Sequence, residues 1–289
     1  MAKLRTRKHK VVLARSRGGD AGITFVLVLL GVFMFIPMYY TFIQSLKPLD
    51  ELWMYPPRFY VSNPTGKNFK DLFTLMSGNL VPFSRYIFNT VFTSIAGTIG
   101  HLFIASLAAY AMSRITFPGG RGMFKLVRTS LMFHATVTAI TSFILMSALN
   151  LVDTYWAIII PAWGSTLGLY LMKQFMEQIP DSLLESARLD GAGELRIFLT
   201  IVMPNVKPAW VTLAIFQFQA MWANTASGFI RSEELKPLQY ALYQVAAGGV
   251  MRQGAAAVVQ LIIALIPITF FLLCQKQVIE TMTTSGMKE

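Results

Sequence analysis

With a single cysteine, Cys274, this 289-residue chain cannot close a disulfide within itself or assemble a cysteine-based metal centre. His101 and His134 each stand alone in apolar sequence. With no second histidine or carboxylate at metal-ligand spacing, both read as hydrogen-bonded helix-packing residues. Charge is scarce too: Asp, Glu, Lys and Arg make up 13% of the chain, against the roughly one quarter usual in soluble domains. No glycine-rich phosphate loop and no nucleophile constellation stands in a polar segment. The chain is therefore expected to be neither an ATPase nor an enzyme, and to bind no cofactor or metal of its own.

Apolar sequence fills the space that charge leaves. Hydrophobic residues are 54% of the chain and the mean hydropathy is +0.53. A spanning helix needs roughly 20 largely apolar residues. Six stretches meet that need: 22–45, 87–113, 127–149, 155–172, 209–226 and 254–275. The prediction is an all-α membrane protein with six transmembrane helices. The first stretch has no small-residue cleavage site after it and reads as a retained span, not a signal peptide. None of the six carries Asp, Glu, Lys or Arg at depth, which argues against an ion-driven pump or an intramembrane enzyme and places the energy source elsewhere.

The net charge of +11 follows membrane topology. Lys3, Arg5, Arg7, Lys8, Lys10, Arg15 and Arg17 precede the first span, so the N-terminus is expected in the cytoplasm. Six spans return the C-terminus there, and Arg114, Arg121, Lys125, Arg128, Lys173, Arg188, Arg196 and Lys207 then fall on the same side. No aromatic-interleaved basic module accompanies this charge, so nucleic acid is not an expected partner. Three segments are expected outside. Segment 47–85, rich in proline and aromatics, suits the outer interface, and 149–154 is a short turn. Segment 227–253, with Arg231, Glu233, Glu234, Lys236 and Pro237, is long enough to dock another protein.

The polar stretch between the fourth and fifth spans is the most specific feature. Pro180 and the Ser182/Glu185 pair have the form of a helix start with a capping box. Gly191 can turn the chain at positive φ, Asp190 can cap a second short helix, and Pro204 is expected to stop it. Glu185, Ala187, Gly191, Ile201 and Pro204, with Ser186 for Ala and Met203 for Leu, resemble the EAA loop of ABC importer permeases. The segments around Asn89-Thr90, from Ala108 through Tyr110 to Arg114, from Leu149 to Trp156, and from Gly286 to Glu289 resemble carbohydrate (maltose-type, binding-protein-dependent) importer permeases. A departure is Trp222-Ala223-Asn224, where those permeases carry an adjacent Trp-Asn pair.

The resemblance implies a type I ABC importer permease fold with a basic cytoplasmic tail over 1–21, a permease domain over 22–276 with its coupling loop at 177–204, and a cytoplasmic tail over 277–289. It implies a bacterial plasma (inner) membrane location. The implied partners are a second, non-identical permease subunit, a dimer of ATPase subunits holding ATP and Mg, and an extracytoplasmic solute-binding protein. Glu185, Ala187, Arg188, Leu189, Asp190, Gly191, Ala192 and Pro204 would form the ATPase-coupling element, with Leu189 and Ala192 packing into the ATPase groove. Sugars bind by stacking and hydrogen bonds, so Tyr155, Trp156, Trp163, Gln217, Gln219, Trp222 and Asn224 are the candidate pathway residues. With no buried charge expected, neutral oligosaccharides suit the chain, and acidic ones if the second permease supplies cations. A permease for glycerol phosphate, peptides or amino acids, and a membrane enzyme or scaffold, are the alternatives.

Overall fold

The computed structural model describes residues 17–78, 81–133, 135–226 and 228–285, and no strand occurs among them. Residues 1–16, His134 and residues 286–289 lie outside the described residues, and with them most of the basic N-terminal tail and the final Gly286 to Glu289 segment. Helix α1 (Arg17–Leu46) leads into a short α2 (Leu49–Leu52), α3 (Lys67–Ser77) and the long α4 (Phe83–Arg114). Next come α5 (Gly120–Ser130), α6 (Ala135–Ala148), α7 (Trp156–Trp163) and α8 (Thr166–Met176). The polar stretch forms α9 (Asp181–Leu189), α10 (Glu194–Ile197), a π-turn (Phe198–Val202) and α11 (Met203–Asn205). The chain closes with α12 (Lys207–Trp222), a 3₁₀ turn (Glu233–Leu235), α13 (Leu238–Ala246), a second 3₁₀ turn (Val250–Arg252) and α14 (Gln253–Ser285). α14 thus carries helix into the region read from sequence as a tail.

All six apolar stretches are helical, but not all are single helices. Among the described residues, three helices, Gly19–Leu46, Phe83–Arg114 and Val250–Lys276, are long and apolar enough to cross a membrane unbroken. The third stretch is divided, because 127–130 ends the basic helix α5 and α6 starts afresh at Ala135. The fourth breaks between α7 and α8 at Gly164-Ser165, just after Pro161, which has no amide to donate. The fifth is the upper arm of a bent pair, Glu194–Asn205 and Lys207–Trp222, which meet at 79°.

A helix break in a membrane must satisfy the backbone groups it releases. Here α4 and α12 supply the partners. The Trp163 carbonyl bonds His101 Nδ1 (3.1 Å), the Ala162 carbonyl accepts from Gln217 Nε2 (3.2 Å), and Trp163 Nε1 donates to the Ala96 carbonyl (3.1 Å). His101, fully buried, is thus the packing residue expected from its isolation. Small residues allow the close approach: a Cβ at Gly100 would overlap the Trp163 indole, and one at Gly168 would overlap the His101 ring. α4 is therefore the spine against which α7, α8 and α12 pack.

The two ends of α4 hold different loops. At its start, Asn89 Nδ2 donates to the Glu234 and Lys236 carbonyls (2.8 and 2.9 Å), Thr90 Oγ1 accepts from the Leu238 amide (2.7 Å), and Tyr86 bonds Glu233 (2.8 Å). Asp153 caps the same loop by accepting from the Arg231 and Ser232 amides (2.9 and 2.8 Å). The Ser232 hydroxyl first, then those amides, hold its carboxyl below the usual range. Leu72, Met76, Tyr86, Leu238 and Leu242 share one buried cluster at this end. At the other end, Tyr110 and Arg114 reach the polar stretch.

Candidate functional site

α9 starts directly after Pro180, whose φ of −60° and ψ of 135° make it the N-cap. The helix consequently includes Asp181 and Ser182, and the expected capping box does not form. No side chain caps α9, and Ser182 sits inside the first turn, its carbonyl accepting from Ser186 Oγ (2.8 Å). Asp181 takes the favourable place of an anion at a helix N-terminus.

The other end of α9 is a Schellman motif. The Gly191 amide donates to the Arg188 carbonyl and the Ala192 amide to the Ala187 carbonyl, both at 3.0 Å, with Gly191 at φ 79°. Gly191 thus serves as expected, whereas Asp190 terminates α9 and does not cap α10, which begins after Gly193 without a side-chain cap. Pro204 does not stop the second helix either. The chain relaxes into a π-turn over Phe198–Val202, which relieves the clash a proline ring makes with the preceding turn, and helix continues to Asn205. The sharp bend falls at Val206, just beyond.

The inner face of this segment is part of the core. Leu184, Ile197, Phe198 and Val202 are buried with Ala105, Ala109 and Tyr110 of α4 and Met172 and Met176 of α8. The outer face is open. Leu189 is 89% exposed, Leu195 is also exposed, and Glu185, Arg188, Asp190 and Gly191 surround Leu189. Ala187 and Ala192 face inward against the chain's own core, so Ala192 does not present itself to an external groove as sequence suggested.

Two side chains of α4 grip the segment. Arg114 Nη2 donates to the Met176 and Ile179 carbonyls, and Nη1 pairs with Asp181. The guanidinium therefore joins the C-terminus of α8, rich in free carbonyls, to the start of α9. Tyr110 donates to Glu194 Oε2, while Arg188 Nε donates to Glu194 Oε1 (2.8 Å). Arg188, then Tyr110, stabilise the Glu194 carboxylate and hold it below the usual carboxylate range. Glu194 in turn raises the Arg188 guanidinium. Lys173, mostly buried, pairs with Glu177 and lies 4.0 Å from the centre of the Phe124 ring, which ties α8 to α5. Sequence reasoning missed Tyr110, Arg114 and Glu194, although the four-residue spacing of Tyr110 and Arg114 places both on one helix face.

Among the described residues, the seven pathway candidates have different surroundings. Tyr155 spends its hydroxyl on Asn89 Oδ1 (2.7 Å), Trp163 and Gln217 serve the helix break, and Asn224 Oδ1 accepts from the Ala226 amide (2.8 Å). Trp222 is buried beside Phe218, and its Nε1 has no partner among the described residues. Trp156, half exposed and edge-on to Trp163, and half-buried Gln219 keep free surface. The expectation of no buried charge also fails, because Lys47 is 2% exposed. Its ammonium donates to the Arg58 carbonyl (2.6 Å) and lies over the Tyr40 ring.

A multi-pass helical membrane protein with a stiff, core-anchored loop between two broken spans is the class that this geometry defines. Residues 102–283 match the family described as "Binding-protein-dependent transport system inner membrane component", and the chain belongs to that family. It is 34% identical over 173 residues to the polygalacturonan/rhamnogalacturonan transport system permease protein YtcP of Bacillus subtilis (strain 168). That match spans 56% of this chain and 60% of the relative. It is 28% identical to the arabinooligosaccharides transport system permease protein AraQ of the same organism, over 92% of this chain and 95% of the relative. The fold is that of a type I ABC importer permease. It matches a crystal structure of a bacterial ABC transporter involved in the import of the acidic polysaccharide alginate, with TM-score 0.74 and 24% identity, over 91% of this chain and 98% of that one.

Proposed function

We propose that this chain is one of two non-identical permease subunits of an oligosaccharide importer of the bacterial inner membrane. An ATPase dimer drives it and an extracytoplasmic binding protein supplies the sugar. The observation that carries this reading is the segment from Asp181 to Asn205. It has a buried face fixed to α4 and α8, an outward face around Leu189, and a turn that only a positive-φ residue makes without strain. The names of two relatives, one for polygalacturonan/rhamnogalacturonan and one for arabinooligosaccharides, support the solute class.

In this mechanism ATP and Mg stay on the ATPase subunits. Closure of that dimer displaces α9 through Leu189 and its polar surround. Arg114 and Tyr110 pass the displacement to α4, and α4 passes it to the broken spans packed on its glycines. The chain contributes a coupling free energy between two sites, which requires a stiff connection and no chemistry of its own. The test is Gly191→Val in the assembled complex. A β-branched residue at that φ costs roughly 1–2 kcal/mol and redirects α10. ATP hydrolysis stimulated by sugar-loaded binding protein should fall at least tenfold while the four-subunit complex still assembles. Undiminished stimulation would remove the coupling assignment, and stimulation by amino acids or peptides in place of sugars would remove the carbohydrate assignment alone.

A further inference from the structure

Between α1 and α14, at the end that carries the Asp153 and Asn89 loop anchors, lies a cavity of about 230 Å³. Tyr40 and Gln44 line it from successive turns of α1, Gln253, Ala257 and Gln260 from one face of α14, and Trp53 from the loop beside them. The lining differs from that of the neighbouring space in the same seam. Another space along α1 and α14, about 350 Å³ and walled by residues such as Phe35, Phe42, Leu261 and Ile268, is almost wholly apolar. Three carboxamides facing two aromatic rings are an expensive choice for the flank of a membrane helix unless polar groups meet them there.

Two observations point to what those groups are. Gln44 lines the cavity, and its Oε1 is a buried acceptor that receives no hydrogen bond among the described residues. Lys47, just past the end of α1, is buried with its ammonium 5.6 Å from the centre of the Tyr40 ring. It bonds the Arg58 carbonyl, not a carboxylate, while the nearby Glu51 is occupied by the Ser62 and Asn63 amides. The ammonium is thus held by a neutral carbonyl beside the Tyr40 wall of the cavity, while the Glu51 carboxylate faces the Ser62 and Asn63 amides. The volume falls below the roughly 300 Å³ at which ligand pockets ordinarily begin, which fits one ring and not a chain.

We propose that this seam is a subsite for a small polyhydroxylated anion, namely a single uronate ring of an acidic oligosaccharide. Its hydroxyls would bond Gln44, Gln253 and Gln260, its face would stack on Trp53, and its carboxylate would be drawn toward Lys47. This deepens the carbohydrate reading and rests on it. A glycerol-phosphate lipid headgroup shares that chemistry, and the experiment separates the two sources. The full transporter, in nanodiscs of zwitterionic lipid without binding protein or ATP, is titrated with trigalacturonate or galactotriose while tryptophan fluorescence is followed. The Trp53→Phe complex serves as the blank. Trigalacturonate should produce a saturable change that the blank lacks and bind at least tenfold more tightly than galactotriose. Gln44→Leu and Gln260→Leu should each weaken it about tenfold, and Lys47→Arg should retain what Lys47→Met loses. A competing change on adding phosphatidylglycerol, with no response to trigalacturonate, would keep the polyhydroxylated anion and overturn the sugar as its source. Equal binding of galactotriose, or wild-type binding by both glutamine variants, would overturn the proposal. Those results leave sugar-stimulated ATP hydrolysis intact, so they are distinguishable from failure of the importer reading itself.

Discussion

Tyr110 and Glu194 stand 84 positions apart and meet through one hydrogen bond, with Arg188 completing the carboxylate's contacts from α9. Tyr110→Phe keeps the ring that packs on Phe198 and deletes only the hydroxyl, at a cost of about 1.5 kcal/mol, the low end for a bond to a charged group because Glu194 is exposed. If that bond relays motion, transport per ATP hydrolysed should drop several-fold with little loss of thermal stability. An unchanged ratio would reduce Tyr110 to a packing residue. The pH dependence has a definite sign. The folded-state value of Glu194 lies below the ordinary one, first through Arg188 and then through Tyr110. Its contribution to stability is therefore complete above the unfolded carboxylate range and is lost as pH falls through the lowered value. Glu194→Gln should lower the Tm of the complex at pH 7, and the difference from wild type should shrink steadily on acidification below about pH 4. A difference that grows on acidification would contradict the assigned contacts.

At the level of elements, the polar segment between the fourth and fifth spans was the most legible part of the sequence and the broken spans the least. Gly191 could be read because a positive-φ position after a helix has one favoured occupant. Pro204 misled, because its effect was taken up locally as a π-turn and the bend moved to Val206. The capping box misled for a similar reason: Pro180 already satisfied the geometry of the N-cap, so Ser182 was drawn into the helix. Hydropathy located all six apolar stretches but could not show the break at Gly164-Ser165, since the side chains that make it tolerable, His101 and Gln217, come from other helices. The same remoteness explains why Gln217 and Tyr155 looked like ligand groups: their partners are backbone and side-chain atoms on neighbouring helices. The contact at Gly168 tests this account. A side chain there must displace His101 from the Trp163 carbonyl or push α8 away from α4. Gly168→Val should cost about 1–3 kcal/mol by overpacking, read as a lower Tm. Full stability would show that the α4–α8 contact is looser than described.

For the whole molecule, the two loop systems lie at opposite ends of one rigid rod. Tyr86 binds the Glu233 loop and Tyr110 binds the Glu194 loop. The 24 residues of α4 between them, at 1.5 Å each, separate those loops by about 36 Å, more than the roughly 30 Å of a hydrocarbon core. The segment after α1 belongs to the first end, because Asn68 Nδ2 donates to the Ser45 and Lys47 carbonyls (3.0 and 2.7 Å) and Leu72 and Met76 pack with Tyr86. Helix geometry therefore fixes which loops share a side, and the distribution of lysine and arginine decides which side is cytoplasmic. Asn63 and Gly193 are both exposed, one at each end. In a Cys274→Ser background, a thiol introduced by Asn63→Cys should react with an impermeant maleimide in intact cells. One introduced by Gly193→Cys should react only after permeabilisation. Labelling of both from outside would contradict the separation that α4 imposes. Exchange of the two patterns would keep the fold and invert the protein in the membrane, which would place Leu189 beyond reach of any cytoplasmic ATPase and remove the coupling role.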